Sequence, residues 1–335
     1  MSKLPDPFRE GLARGWKATN GEAGLPQEIQ CDVAIVGSGA GAGITAELLT
    51  KAGLDVVIIE EGPLKTSTDF NQKESEAYAT LYQEGAGRRT MDGALTLLQG
   101  RCVGGTTVIN WTSSFRTPAS TLAFWRERLG LQGFGETELA PWFEAAERRL
   151  HIGPWTVAPN ANNQLLRDGA TRLGLSAPGI RRNVQGCWNL GSCGLGCPTN
   201  AKQSMLVTTL PTALERGARL FVQARAERLL IDDSSARGVV LRPVALNGDA
   251  AGEPVQVRAR HVVVAGGAIN SPALLLRSRV PDPHGVLGRR TFLHPVVASA
   301  ARFDQAVEGW SGAPDRKSTR LNSSHTDISR MPSSA

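Results

Sequence analysis

CDVAIVGSGAGAGITAELLTKAGLDVVIIEEGP, residues Cys31 to Pro63, is the stretch that decides the fold. Asp32 to Val36 is a short apolar run of strand character, and Gly37-Ser38-Gly39-Ala40-Gly41-Ala42-Gly43 follows it as a glycine-rich turn. Ile44 to Ala52 continues with helical spacing, Gly53 stops it, and Val56 to Ile59 is a second buried strand. That order is a βαβ unit with the glycine fingerprint in its first turn. Gly37 permits the tight turn, Gly39 leaves room for a pyrophosphate against the backbone, and Ala42 is small enough for close helix–strand packing. The pyrophosphate is expected at the helix N-terminus, where unpaired N–H groups and the dipole favour an anion. Glu60 ends the second strand, where a carboxylate can accept hydrogen bonds from ribose hydroxyls and would repel a 2′-phosphate. The motif alone does not separate FAD from NAD.

The surrounding chain has 335 residues, 41% hydrophobic and 20% charged. This is soluble globular composition, with length for about two domains. The net charge of +6 raises the question of nucleic acid, but the charges are scattered and aromatics make up only 5%. No basic stripe with interleaved aromatics is present, so no nucleic-acid partner is expected. No apolar stretch has the length of a signal peptide or a membrane span, and Arg14 is followed by Gly15 rather than a second arginine. Five cysteines in so long a chain argue against a secreted disulfide framework, and the expected location is cytoplasmic.

Further motifs follow in order. Gly100-Arg101-Cys102-Val103-Gly104-Gly105-Thr106-Thr107-Val108-Ile109-Asn110 contains a glycine pair, with hydroxyls behind it, that lets backbone N–H groups approach a ligand closely. Arg225-Ala226-Glu227-Arg228-Leu229-Leu230 is a strand, and Ala265-Gly266-Gly267-Ala268-Ile269-Asn270-Ser271-Pro272 follows the strand His261 to Val264. Ser271 is expected to cap a helix starting at Pro272. Taken together, residues 31 to 314 resemble the glucose–methanol–choline (GMC) oxidoreductase family. The resemblance implies an α/β fold: a Rossmann-like FAD/NAD(P)-binding domain of GMC type with part of an α+β substrate domain. It implies FAD as cofactor, held by Gly37, Gly39, Ala42, Glu60, Arg101, Gly104, Gly105, Thr106, Asn110, Ala226 and Gly266, with the Ala226 backbone receiving the adenine. It also implies oxidation of a CH–OH donor, an alcohol or sugar, by hydride transfer to the flavin, with oxygen, a quinone or a cytochrome as acceptor. The family's catalytic His, with its His or Asn partner, lies in a C-terminal third that no motif here matches, so no catalytic residue is assigned. Gly288-Arg289-Arg290-Thr291-Phe292-Leu293-His294-Pro295 resembles a family segment ending in Asp-His-Pro, with Leu293 in place of Asp, and His294 is read as structural.

Cys187, Cys193 and Cys197 stand at C-x5-C-x3-C-P in a glycine-rich loop. Thiolates so spaced can converge on a metal or cluster. The spacing is similar to that of cluster-bearing GMC dehydrogenases, whereas Pro198 to Met205 also resembles cluster-free branches. An iron–sulfur cluster and reduced cysteines that simply pack the loop both stay open. Cys31 and Cys102 are read as small packing residues.

Residues 1–30 are expected to be an N-terminal extension anchored by Trp16. Thr117 to Leu173 is expected to be largely helical, with Trp125, Trp142 and Phe143 on apolar faces. Arg219 to Arg242 and Val255 to Val264 read as strands, and Asn247 to Pro254 as a polar turn. From Asp315 the sequence turns serine-rich and loses all periodicity, and residues 315–335 resemble the in-frame translation of a sequencing adapter. The natural chain is therefore expected to run past Pro314, leaving this one truncated and without activity of its own. Two other readings compete: an NAD-binding dehydrogenase, and a non-catalytic nucleotide-binding fragment.

Overall fold

The computed structural model describes residues 4–233, 235–289, 291–292, 300–309 and 311–312. Leu293, His294 and Pro295, and the adapter-like stretch from Asp315, lie outside the described residues. The strands are β1 (Lys17–Asn20), β2 (Glu28–Val36), β3 (Val56–Ile59), β4 (Ser113–Ser114), β5 (Ile152–Pro154), β6 (Arg181–Asn183), β7 (Arg219–Val222), β8 (Ala224–Asp232), β9 (Ser235–Pro243) and β10 (Val255–Val264). The α-helices are α1 (Pro7–Ala13), α2 (Ala40–Lys51), α3 (Glu74–Leu81), α4 (Thr106–Ile109), α5 (Ala119–Leu129), α6 (Glu136–Arg149), α7 (Ala161–Arg172), α8 (Thr209–Glu215) and α9 (Gly267–Arg277).

The chain divides into two compact units. The first takes the described residues of Met1–Asn110, Gly194–Asn200 and Ser204–Leu293. It is built on a seven-stranded sheet in the order β1-β7-β3-β2-β10-β9-β8. The pairs from β1 to β10 are parallel, whereas β9 and β8 are added antiparallel. All four residues of β3 are at most 1% exposed. An unbroken apolar run of this kind is what a parallel strand needs when both sheet faces are covered. The helix α2 packs on α8, and α9 packs against β8. Buried side chains of β2, β3, β8, β9 and β10 join Leu274 of α9 in one apolar cluster.

Several boundaries differ from the sequence reading. Residues 17–20 are an edge strand of the main sheet, paired in parallel with β7. Four residues without apolar alternation give no strand period to read. Trp16 does anchor this segment: its ring meets Phe8 edge-on at 5.5 Å, and its indole N–H donates to Glu215 at 2.5 Å. The helix after β10 begins at Gly267 with Gly266 as its N-cap, so Ser271 does not cap it and Pro272 lies inside. The Gly266-Gly267 turn reverses the chain directly after β10, and that tertiary constraint outweighs the preference of proline for the first helical position. Cys31 lies within β2, half-buried, while Cys102 is buried at 1% exposure.

The second unit holds Trp111–Cys193 and Ala201–Gln203, with the described residues beyond 299. Here α5, α6 and α7 accompany a small antiparallel sheet in the order β4-β6-β5. Arg182 of β6 is its most buried large side chain; the guanidinium donates to Thr112 Oγ1 at 2.9 Å and to the Trp111 carbonyl at 2.6 Å, and lies over the Trp155 ring. Trp142, expected on an apolar face, is 72% exposed, and α6 buries no residue at all.

Candidate functional site

The parallel strands β3, β2 and β10 are adjacent and run the same way, so Ile59, Val36 and Val264 end on one edge of the sheet. The chain leaves β2 toward β3 through α2, whereas β10 pairs on the other side of β2. The strand order therefore reverses there, and the loops splay apart into a crevice. A cavity of about 470 Å³ occupies it, lined by the turns after all three strands, by residues 99–101 and 105–107, and by Ala224 to Ala226 of β8. Its volume lies within the usual range for ligand pockets.

Two glycines shape the floor. Gly37 has φ 103°, and a Cβ on it would stand 2.5 Å from the Ala265 carbonyl oxygen. Gly105 has φ 55°, and a Cβ there would stand 2.9 Å from Gly39 Cα. The first glycine turn thus abuts the turns at Ala265 and Gly105 backbone to backbone, which only glycine allows. Behind Gly39, α2 starts with no side-chain cap and no acidic residue in its first turn. Its leading N–H groups and the positive end of its dipole are therefore open to an anion.

Polar groups line the rest. Glu60 is 7% exposed; its Oε2 accepts from Ser38 N–H at 3.1 Å and Ser38 Oγ–H at 2.5 Å, and its Oε1 from Gly62 N–H at 2.8 Å. Burial, together with the Glu61 charge, pushes its carboxyl up to about 7, against the opposing pull of the Ser38 and Gly62 donors and Arg101. A carboxylate has about four acceptor positions, so these three donors leave one, on Oε1, for a ligand. Arg101 donates from Nε to Glu61 Oε1 at 3.0 Å and from Nη1 to the Leu246 carbonyl at 2.7 Å. Its Nη2 is buried with no partner among the described residues. Arg88 Nη1 donates to Gln99 Oε1 at 2.9 Å and Asn270 Oδ1 at 3.0 Å, joining the segment before Gly100 to the start of α9. Between Ala226 and Arg228 the β8–β9 register shifts, and the Ala226 and Glu227 carbonyls there accept from Arg277 at 3.3 and 3.1 Å.

Of the expected cofactor-binding residues, Gly37, Gly39, Glu60, Arg101, Gly105, Thr106, Ala226 and Gly266 line this cavity. Ala42 is fully buried in α2, Gly104 stands just behind Gly105, and Asn110 follows the end of α4, off the lining. Ser38, Glu61, Arg88, Gln99, Arg225, Asn270 and Arg277 also line it and were not singled out from sequence. Their signal was position beside the glycine turns, which does not reveal where a long side chain points.

Among the described residues no three His, Cys, Asp or Glu side chains come together so as to hold a metal ion. This gives the iron–sulfur reading of Cys187, Cys193 and Cys197 no support, and each sulfur has a polar neighbour. Cys187 Sγ accepts from Asn189 N–H at 3.4 Å, Cys193 Sγ lies 4.0 Å from Arg182 Nη2, and Cys197 Sγ is 3.4 Å from Thr199 Oγ1. No helix among the described residues is long and apolar enough to cross a membrane.

Comparison with known proteins agrees with this geometry. Residues 78–296 match the family model described as GMC oxidoreductase. A GMC-type oxidoreductase of Mycobacterium tuberculosis is 38% identical over 294 residues, covering 87% of this chain and 46% of the relative. The long-chain-alcohol oxidase FAO4B of Arabidopsis thaliana is 34% identical, over 85% of this chain and 38% of its own length. The chain thus spans less than half the length of these two relatives. The crystal structure of pyridoxine 4-oxidase from Mesorbium loti superposes with a TM-score of 0.57 at 22% identity, covering 77% of this chain and 53% of that one. Formate oxidase superposes with a TM-score of 0.54 at 16% identity, over 76% and 48%. These two structures share the fold.

Proposed function

Because this chain belongs to the GMC oxidoreductase family, we propose that the cavity at the ends of β2, β3 and β10 binds FAD, and that the chain serves oxidation of a CH–OH donor. The observation that carries the reading is the convergence of three strand-end turns on one cavity, floored by abutting glycines and edged by the unpartnered Arg101 Nη2. A buried guanidinium nitrogen without an acceptor is costly, and a nucleotide oxygen or ring nitrogen would complete it. The uncapped start of α2 suits the diphosphate, and the remaining Oε1 position of Glu60 suits a ribose hydroxyl. Ala224 and Ala226 offer an apolar wall for the adenine.

Bound there, FAD would supply the acceptor for hydride leaving an alcohol carbon. The residues described here bind and orient; none is assigned as the base that removes the hydroxyl proton. The relatives named as long-chain-alcohol oxidases support an alcohol as the donor class. The test is reconstitution: purified chain incubated with FAD and desalted should retain about one flavin per chain, visible in its absorbance. Protein that stays colourless and instead retains NAD would contradict the flavin reading. Alcohol-dependent bleaching of an artificial electron acceptor then tests the donor class.

A further inference from the structure

Ser38 hydrogen-bonds to two other turns at once. It is fully buried, and its Oγ–H and N–H both donate to Glu60 Oε2, while the same Oγ accepts from Gly104 N–H at 2.9 Å. The acid after β3, the glycine turn after β2 and the turn before α4 thus meet at a single hydroxyl. Glu60 carries the linkage one step further, to Gly62 N–H at 2.8 Å. Around this point a Cβ on Gly105 would stand 2.9 Å from Gly39 Cα, so the two glycine turns meet backbone to backbone.

We infer that Ser38 is a positioning residue for the dinucleotide: its hydroxyl locks the two glycine turns and the ribose-facing carboxylate into one preformed cradle. Three features support this. A hydroxyl offers one proton and two acceptor positions, and here the proton goes to Glu60 while a lone pair takes the Gly104 N–H. Replacing it with a methyl group leaves Gly104 N–H without its acceptor in a buried place, and removes the shortest donor to Glu60. Glu60 is ringed by Ser38, Gly62, Glu61 and Arg101, and of these Ser38 is the one whose side chain accepts the Gly104 N–H. The loss would therefore fall on the mutual placement of the two turns, which is the cost that a preformed site avoids on binding.

The inference rests on the flavin reading of the cavity, and the experiment separates the two. FAD and ADP are titrated against wild-type chain and Ser38→Ala, at a temperature below the melting transition of each. ADP carries the diphosphate and adenosine ribose but no flavin ring. Ser38→Ala is expected to bind both nucleotides at least tenfold more weakly, by similar factors. Ser38→Cys, close in size with a weak S–H donor, is expected to recover part of the loss, and it replaces Ser38→Ala in the test should that variant not fold. Wild-type chain that binds neither nucleotide overturns the flavin reading, and this inference with it. Wild-type binding with Ser38→Ala within twofold for both nucleotides, or with a loss for FAD alone, overturns the inference and leaves the flavin reading standing.

Discussion

At Gly37, a φ of 103° and a carbonyl oxygen 2.5 Å from where a Cβ would sit leave no room for another residue. Gly37→Ala is expected to cost roughly 1–3 kcal/mol from backbone strain, with the clash in addition. A lowered urea midpoint with the slope unchanged would show it. Glu60 makes a pH prediction. Its folded carboxyl sits at about 7, above its ordinary value of 4.5, so the folded state holds a proton that the unfolded state has released between those two pH values. Stability is therefore expected to fall as pH rises from about 4.5 to 7 and to level off above, by on the order of 3 kcal/mol. Glu60→Gln should lack this slope; an equal slope in both proteins would contradict the assignment. Arg101→Lys keeps a positive charge beside Glu61 but loses the planar fork, and is expected to weaken FAD binding roughly five- to hundredfold in an equilibrium titration. At this scale the glycines were legible because their conformation is written in residue type. The partners of Glu60 were not, because Ser38, Gly62 and Arg101 are joined only by the way three loops fold over one strand edge.

Among the elements, the βαβ unit matched its reading closely: β3 runs over Val56–Ile59 as expected, and α2 starts at Ala40, within the glycine turn. Apolar runs bounded by glycine carry that information locally. The start of α9 did not follow from local preference, since the Gly266-Gly267 turn after β10 fixes it. Nor did β1, whose membership in the sheet depends on β7, some two hundred residues onward in the chain. The cysteine spacing left a cluster and simple loop packing both open, and no group of metal-ligating side chains is found among the described residues. Spacing along a loop limits how far sulfurs can reach without fixing where they point. Leu274, 2% exposed, ties α9 to the apolar cluster beneath the cavity. Leu274→Ala is expected to destabilise the first unit by about 2–5 kcal/mol. Denaturant unfolding measures this, and a change below 0.5 kcal/mol would argue that α9 is not held by that cluster.

For the whole molecule, the first unit contains the complete cavity, and every residue assigned to FAD belongs to it. Ligand binding should therefore stabilise that unit by mass action. With free FAD at a hundred times its dissociation constant, the gain is about 2.7 kcal/mol, read as a rise in melting temperature that NAD does not reproduce. The family was legible from ordered glycine motifs, because each marks a place where backbone meets ligand. Donor identity was not, because no described side chain is placed at a reacting carbon. Amide hydrogen exchange with and without FAD tests whether the turns after β2 and β10 and the turn before α4 form one flavin-nucleotide cradle. FAD is expected to slow exchange together at Ser38 to Gly41, Gly104 to Thr106 and Gly266 to Gly267; protection absent from these turns, or confined to one of them, would rule out a shared cradle.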